Sequence, residues 1–224
     1  MAEAALASRT PARLLAAATD LFARHGFHGT SIRDIAQRAG VNVAAGHYHY
    51  GSKDGLYLEV LRDQFATVRS VLEHRGATRS ARSLRRASRP ELQSLLETRI
   101  TAMLEIMLGP PPGPHGALML REMCDPTAAM PMIVAEFIRP QTQEMEQLVA
   151  LLAPAAGRET VRRIVFSIVG QVLFYRFTMP VALLLLGHAK YPRGFARKTA
   201  RHIAAFSVAA IDGIAAPKRR RRGR

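Results

Sequence analysis

The chain has 224 residues, 48% of them hydrophobic, with one cysteine, no tryptophan and a formal net charge of +15. That length suits one large domain or two small ones, and the apolar content excludes a chain disordered throughout. The single cysteine, Cys124, excludes an intramolecular disulfide and any multi-cysteine metal site.

The charge is unevenly placed. Residues 76–90 hold five arginines and no acid, and residues 217–224 hold six basic residues and no acid, so two short segments carry +11 of the +15. Both read as solvated, poorly ordered chain. They are either a solubilising linker and tail or segments drawn to nucleic acid. Alanine and leucine dominate, which predicts helices rather than strands. The first residues, MAEAALASRTPARLLAAATDLF, lack the basic segment and pure apolar run of a signal peptide, so the expected location is cytoplasmic.

In chain order, Thr10-Pro11 opens a first helix, since proline suits a first turn that needs no N–H. Leu14, Leu15, Ala18, Leu21 and Phe22 form its apolar stripe, and His25-Gly26 stops it. Gly29-Thr30-Ser31 starts a second, short helix with Ile32, Ile35, Ala36 and Ala39 on one face, ended by Gly40. A third runs from about Asn42 to His49. Gly51-Ser52 breaks the chain before a long fourth helix from Lys53 to about residue 74. A fifth helix is expected from Pro90 to about Leu108, and GPPPGPHG at 109–116 is a hard break. Helices follow at about 117–124, 127–152, 159–186 and 193–214. The fold class predicted is therefore all-α, with an N-terminal domain over 8–68, a C-terminal helical bundle over 90–216 and a basic disordered tail over 217–224.

The informative stretch is TSIRDIAQRAGVNVAAGHYHYGSKDGLYLEV, residues 30–60. Two short helices joined by Ala39-Gly40-Val41 make a helix-turn-helix, with Gly40 supplying the positive φ that the turn needs. The second of these helices carries Val43, Ala44, Ala45 and Gly46, small side chains that let its backbone approach base edges. Asn42 and His47 can hydrogen-bond bases or phosphates, and Tyr48 can give its hydroxyl to phosphate. Lys53, at the start of the next helix, can hold a phosphate together with free backbone N–H groups.

The segments LFARHGFHGTSIRDIAQRAGV and YHYGSKDGLY resemble the DNA-binding domain of the TetR family of bacterial transcriptional regulators. The resemblance implies phosphate contact by Tyr48 and Lys53. It implies base or phosphate contact by Thr30, Ser31, Arg33, Asn42, Val43, Ala44, Ala45 and His47. Two positions depart from the family: His47 stands where tyrosine is common, and Gly46 where a larger apolar residue is. Further along, REMCDPTAAMPMIVAEFIRPQ and SIVGQVLFYRFTMPVALLLLG resemble a subgroup whose C-terminal domain has no clear ligand.

In that family the last two long helices form a four-helix interface. The resemblance thus implies a homodimer through 159–186 and 193–214, bound to a near-palindromic stretch of double-stranded DNA. The length and apolarity of 165–186 also fit a membrane span, but Gln171, Arg176 and Pro180 favour burial against a partner subunit, so no membrane is expected. A regulator of this type holds a small-molecule effector. Met103, Met107, Met119 and Met123 are soft wall candidates, with Gln171 and Tyr175 as polar ones; the plainer reading of all four methionines is ordinary core. Arg121 and Glu122 read as buried structural groups, and Cys124 as packing. No metal-ligand spacing, phosphate-binding glycine loop or nucleophile elbow is present, so neither enzyme nor cofactor is expected. The expected function is a ligand-responsive repressor. The alternative is an architectural, non-specific nucleic-acid binder driven by the arginine runs.

Overall fold

The computed structural model describes residues 2–108 and 115–215. In chain order the helices are α1 (Ala2–His25), α2 (Ile32–Ala39), α3 (Val43–Tyr50), α4 (Lys53–His74), α5 (Ala81–Arg86) and α6 (Arg89–Leu108). Then come α7 (His115–Cys124), α8 (Met130–Ile133), a π-helical turn over Val134–Ile138, α9 (Arg139–Leu152), α10 (Arg158–Phe177), α11 (Met179–Leu186) and α12 (Phe195–Ala215). Among the described residues there is no strand, so the protein is all-α.

Contacts divide the chain into two compact units. The first joins Met1–Arg69 to Pro110–Ile138, and the second joins Ser70–Gly109 to Arg139–Arg224. Residues 115–138, which sequence order groups with 90–216, thus cluster with the N-terminal helices. Their apolar groups explain it: Leu118, Ala129 and Ile133 are buried in the same core as Leu14, Phe22, Ile35, Leu56, Tyr57 and Leu61. Leu118 and Ile133 each contribute roughly 1.5–3 kcal/mol when removed from water, and Ala129 less. Glu122 follows them inside. Its carboxylate accepts from Tyr57 Oη at 2.6 Å, Thr127 Oγ1 at 2.8 Å and the Thr127 amide at 3.1 Å. Burial pushes the Tyr57 phenol up, and its hydrogen bond to Glu122 adds to that. Arg121, in contrast, is exposed and donates to the Arg24 carbonyl. Cys124 is exposed too, not packed, because it lies at the open end of α7.

In the second unit, Leu92, Leu96, Ile100 and Leu104 of α6 meet Leu148 and Leu152 of α9, Val165, Ile168 and Val172 of α10, and Ile203 and Ile211 of α12. Arg99 enters this region with its guanidinium on Glu144 at 2.9 Å and Gln141 Oε1 at 3.2 Å.

Several expected boundaries change. The first helix starts at Ala2 and carries Pro11 inside it, because AEAALAS is a run of good helix formers that outweighs one missing N–H. The supposed linker over 76–90 contains α5. Ser80 caps it and buried Leu84 pins it to the second core, so the segment is not simply solvated chain. The expected helix over 127–152 is divided by the π turn ahead of Pro140, which has no N–H to give the preceding turn. The expected helix over 159–186 is two helices bent by 78°, broken at Thr178 where Pro180 enters the first turn of α11. Among the described residues, no single helix is long and apolar enough to cross a membrane. The tail over 217–224 lies outside the described residues.

Candidate nucleic-acid interface

Helix α2 is closed at both ends by its own sequence. Ser31 Oγ accepts the Asp34 amide at 3.1 Å, and Asp34 Oδ2 accepts the Ser31 amide at 3.0 Å. This reciprocal cap, with the Ser31 hydroxyl first among its causes, holds the Asp34 carboxyl below the usual aspartate range. At the other end Gly40 sits in the left-handed region at φ 62°, and the Val41 amide reaches the Ala36 carbonyl at 3.0 Å. A Cβ on Gly40 would meet only the mobile tip of Arg13, so it is the backbone conformation that favours glycine there.

Helix α3 then leaves at an angle set by small residues. Gly46 is buried, and a Cβ on it would meet Ile32 Cδ1 at 3.3 Å. The departure from the family pattern at Gly46 therefore has a local reason: α2 and α3 approach closely there. Asn42 caps α3, its Oδ1 accepting the Ala44 amide at 3.0 Å. Tyr50 fastens the far end of α3 to α1 by donating to the Pro11 carbonyl at 2.9 Å. The opposite side of α3 carries Ala44, His47, Tyr48 and His49, all exposed, with Tyr48 85% exposed.

Beside α3 lies a groove of about 490 Å³ lined by His28, Gly29, Thr30, Ser31, Ile32, Asp34, His47, Ser52 and Lys53. The N-termini of α2 and α4 both open onto it. The first amides of a helix have no intrahelical acceptor and carry the positive end of its dipole; at α2 the Asp34 carboxylate already answers that end, so it is the α4 end that most favours an anion. Lys53 is half-buried, and its ammonium donates to the carbonyls of Phe27 and Thr30, each at 3.1 Å, while lying 4.2 Å above the Phe27 ring. An ammonium has three hydrogens, so one is left for a ligand in the groove.

The sequence-derived site residues therefore divide. Arg33, Ala44, His47 and Tyr48 present exposed side chains, and Val43 and Ala45 are half-buried on the same short helix. Ser31, Asn42 and Lys53 reach the surface with part of their hydrogen-bonding capacity spent on caps and carbonyls. The Thr30 side chain turns inward, donating to the Gly26 carbonyl at 2.9 Å, and is 3% exposed. Its hydroxyl thus closes the end of α1, while the residue still lines the groove. His28 and Ser52 also line the groove; the sequence marks Ser52 only as the start of α4 and assigns neither residue to the site, because their nearness to His47 and Lys53 is set by the fold.

The six effector candidates do not share one compact unit. Met103, Met107 and Tyr175 pack on the second core, and Met119 packs on the first. Met123 is exposed, and Gln171 donates to the Ser167 carbonyl of its own helix. Residue spacing on separate helices does not report which core each helix joins.

Known proteins agree with this geometry. Residues 14–60 match the family described as bacterial regulatory proteins, tetR family, and residues 92–211 match the C-terminal domain of the HTH-type transcriptional dual regulator CecR. The chain belongs to the TetR family. It is 27% identical over 180 residues to the dual regulator CecR of Shigella flexneri, covering 78% of this chain and 79% of that protein. It is 43% identical over 88 residues to the HTH-type transcriptional repressor Rv3405c of Mycobacterium tuberculosis, covering 38% of this chain and 46% of that one. Among solved structures, a TetR-family regulator from Mesorhizobium loti superposes with a TM-score of 0.56 at 19% identity, covering 93% of this chain and 97% of its own. A transcriptional regulator from Rhodococcus sp. Rha1 gives 0.59 at 19% identity, covering 90% and 97%. These two likenesses speak for the fold. As a TetR-family transcriptional regulator, the protein is a DNA-binding helix-turn-helix protein whose relatives are regulators rather than enzymes.

Proposed function

We propose that the protein is a repressor that binds a near-palindromic operator as a homodimer and releases it when a small molecule occupies its C-terminal domain. The observation that carries the DNA half of this reading is the groove where two helix N-termini and Lys53 meet beside exposed α3. There a backbone phosphate finds amides and an ammonium, while Ala44, Ala45, His47 and Tyr48 face the major groove. Arg33, Ser31 and Asn42 flank the same surface.

The dimer half rests on the second unit. Phe166, Phe174 and Phe177 of α10 and Phe206 and Ile214 of α12 are large apolar side chains left 41–60% exposed. Exposed Gly170 and Gly213, on the same two helices, leave open space where a side chain would stand, as a closely approaching second copy requires. The effector half rests on the match to the CecR C-terminal domain, with Met103, Met107 and Tyr175 packed against the second core and Gln171 on α10. Met119 and Met123 serve the first unit instead. Effector binding shifts the population of α4 orientations, and with it the separation of the two reading heads. The relative named a repressor supports the sign of regulation.

Genome-wide mapping of bound DNA, followed by gel shift on the recovered fragments, tests this. The expected result is one near-palindromic sequence preferred over mixed-sequence DNA by about 10³-fold or more. Uniform binding that collapses on removal of residues 217–224 would establish the architectural alternative.

A further inference from the structure

His47 and its surroundings carry a consequence beyond simple contact. Its ring nitrogen Nδ1 lies 3.2 Å from the carbonyl oxygen of Gly51. A carbonyl only accepts, so Nδ1 carries the hydrogen. In a neutral imidazole the other nitrogen, Nε2, then has a lone pair and no hydrogen. A phosphate oxygen also only accepts, so neutral His47 cannot bond it without giving up Gly51. The imidazolium has a hydrogen on each nitrogen and satisfies both partners at once.

Gly51 cannot easily yield. It ends α3 at φ 72°, and its amide is tied to the His47 carbonyl at 2.9 Å, so ring and turn hold each other. The charged groups lining the same groove are the Lys53 ammonium from α4 and the Asp34 carboxylate from α2, with His28 on the loop between α1 and α2. The cap lowers the Asp34 carboxyl, so it stays ionised between pH 6 and 8, and the Lys53 ammonium donates to two backbone carbonyls. His49 and Tyr48 share α3 with His47.

We infer that His47 is a proton-gated ligand of the DNA backbone: it bonds a phosphate only as the imidazolium, so DNA binding by this protein takes up a proton. The inference rests on the DNA-backbone reading above and assigns the chemistry at one residue of it. Phosphate contacts are independent of base sequence, so the operator need not be known.

The test is binding of the full chain to a mixed-sequence 30-bp duplex, followed by fluorescence anisotropy at pH 6.0 and 8.0 across 50–200 mM salt. At pH 6.0 the slope of log K against log salt steepens by about 0.9 per subunit, hence about 1.8 for the homodimer with its two His47 side chains, and affinity at the low-salt end rises on the order of tenfold relative to the high-salt end. His47→Gln abolishes that added slope. His47→Lys keeps the steeper slope at both pH values, a rescue that a merely structural role would not give. His28→Ala and His49→Ala leave the His47-dependent part in place. An equal pH response in the unaltered chain and in His47→Gln overturns the inference while leaving DNA binding intact. Failure of the unaltered chain to bind duplex DNA at either pH overturns the DNA-backbone reading and this inference with it.

Discussion

The two units expose their helices for opposite reasons. In the first, α3 stands out of the core with a hydroxyl and two imidazoles on its open side, and its ends are fixed by Asn42, Tyr50 and Gly51. In the second, α10 and α12 expose phenylalanines with glycines among them. A polar face with fixed geometry suits a ligand that is itself polar and regularly spaced. An apolar face with room at its glycines suits a surface that excludes water. The same overall exposure thus fits the two different recognitions proposed above, and only the chemistry of the exposed groups separates them.

The largest expected effect comes from breaking the apolar face. Phe166→Glu together with Phe206→Glu converts the dimer to monomer in sedimentation velocity, with the far-ultraviolet circular dichroism unchanged. Operator affinity falls about 10²-fold or more, because two half-sites no longer bind as one ligand. A double variant that stays dimeric would move the interface away from α10 and α12.

A smaller change sharpens the polar face. Tyr48→Phe removes one oxygen from an 85% exposed ring and leaves the core untouched. Operator affinity should fall about three- to tenfold by gel shift, the size of one hydrogen bond, with the dimer intact. Unchanged affinity would assign Tyr48 to ring contact alone.

The smallest effect concerns how the polar face is held. The Asp34 carboxyl is lowered by its bonds to Ser31, so it titrates below its unfolded value. A lowered carboxyl stabilises the fold above the unfolded value, near pH 4, and that contribution disappears as pH falls through the folded value. In Asp34→Asn, urea denaturation at pH 7 shows a small loss, and the acid-induced part of the decline below about pH 4 is reduced. An acid profile identical to that of the unaltered chain would assign the cap's strength to Ser31 alone.

The helix-turn-helix was legible because its signals are local. Ser31 with Asp34, Gly40, Asn42 and Ser52 each act within a few residues, so caps and turns can be read along the chain. The inward turn of Thr30 was not legible, because a threonine at a helix start reads alike whether its hydroxyl meets solvent or the carbonyl of Gly26. Glu122 reads as a buried structural group, and it is 1% exposed; its partner was not legible, because Tyr57, at 2.6 Å, stands 65 positions away in the chain.

By itself the sequence determined the all-α class, the position of the reading helices and the family, because periodicity, caps and motif are properties of adjacent residues. Tertiary structure alone decided that residues 115–138 join the first core and that the Lys53 ammonium rests on two carbonyls. Those outcomes depend on which apolar faces meet and which polar groups they enclose. Such pairings link residues tens of positions apart, and no local pattern encodes them.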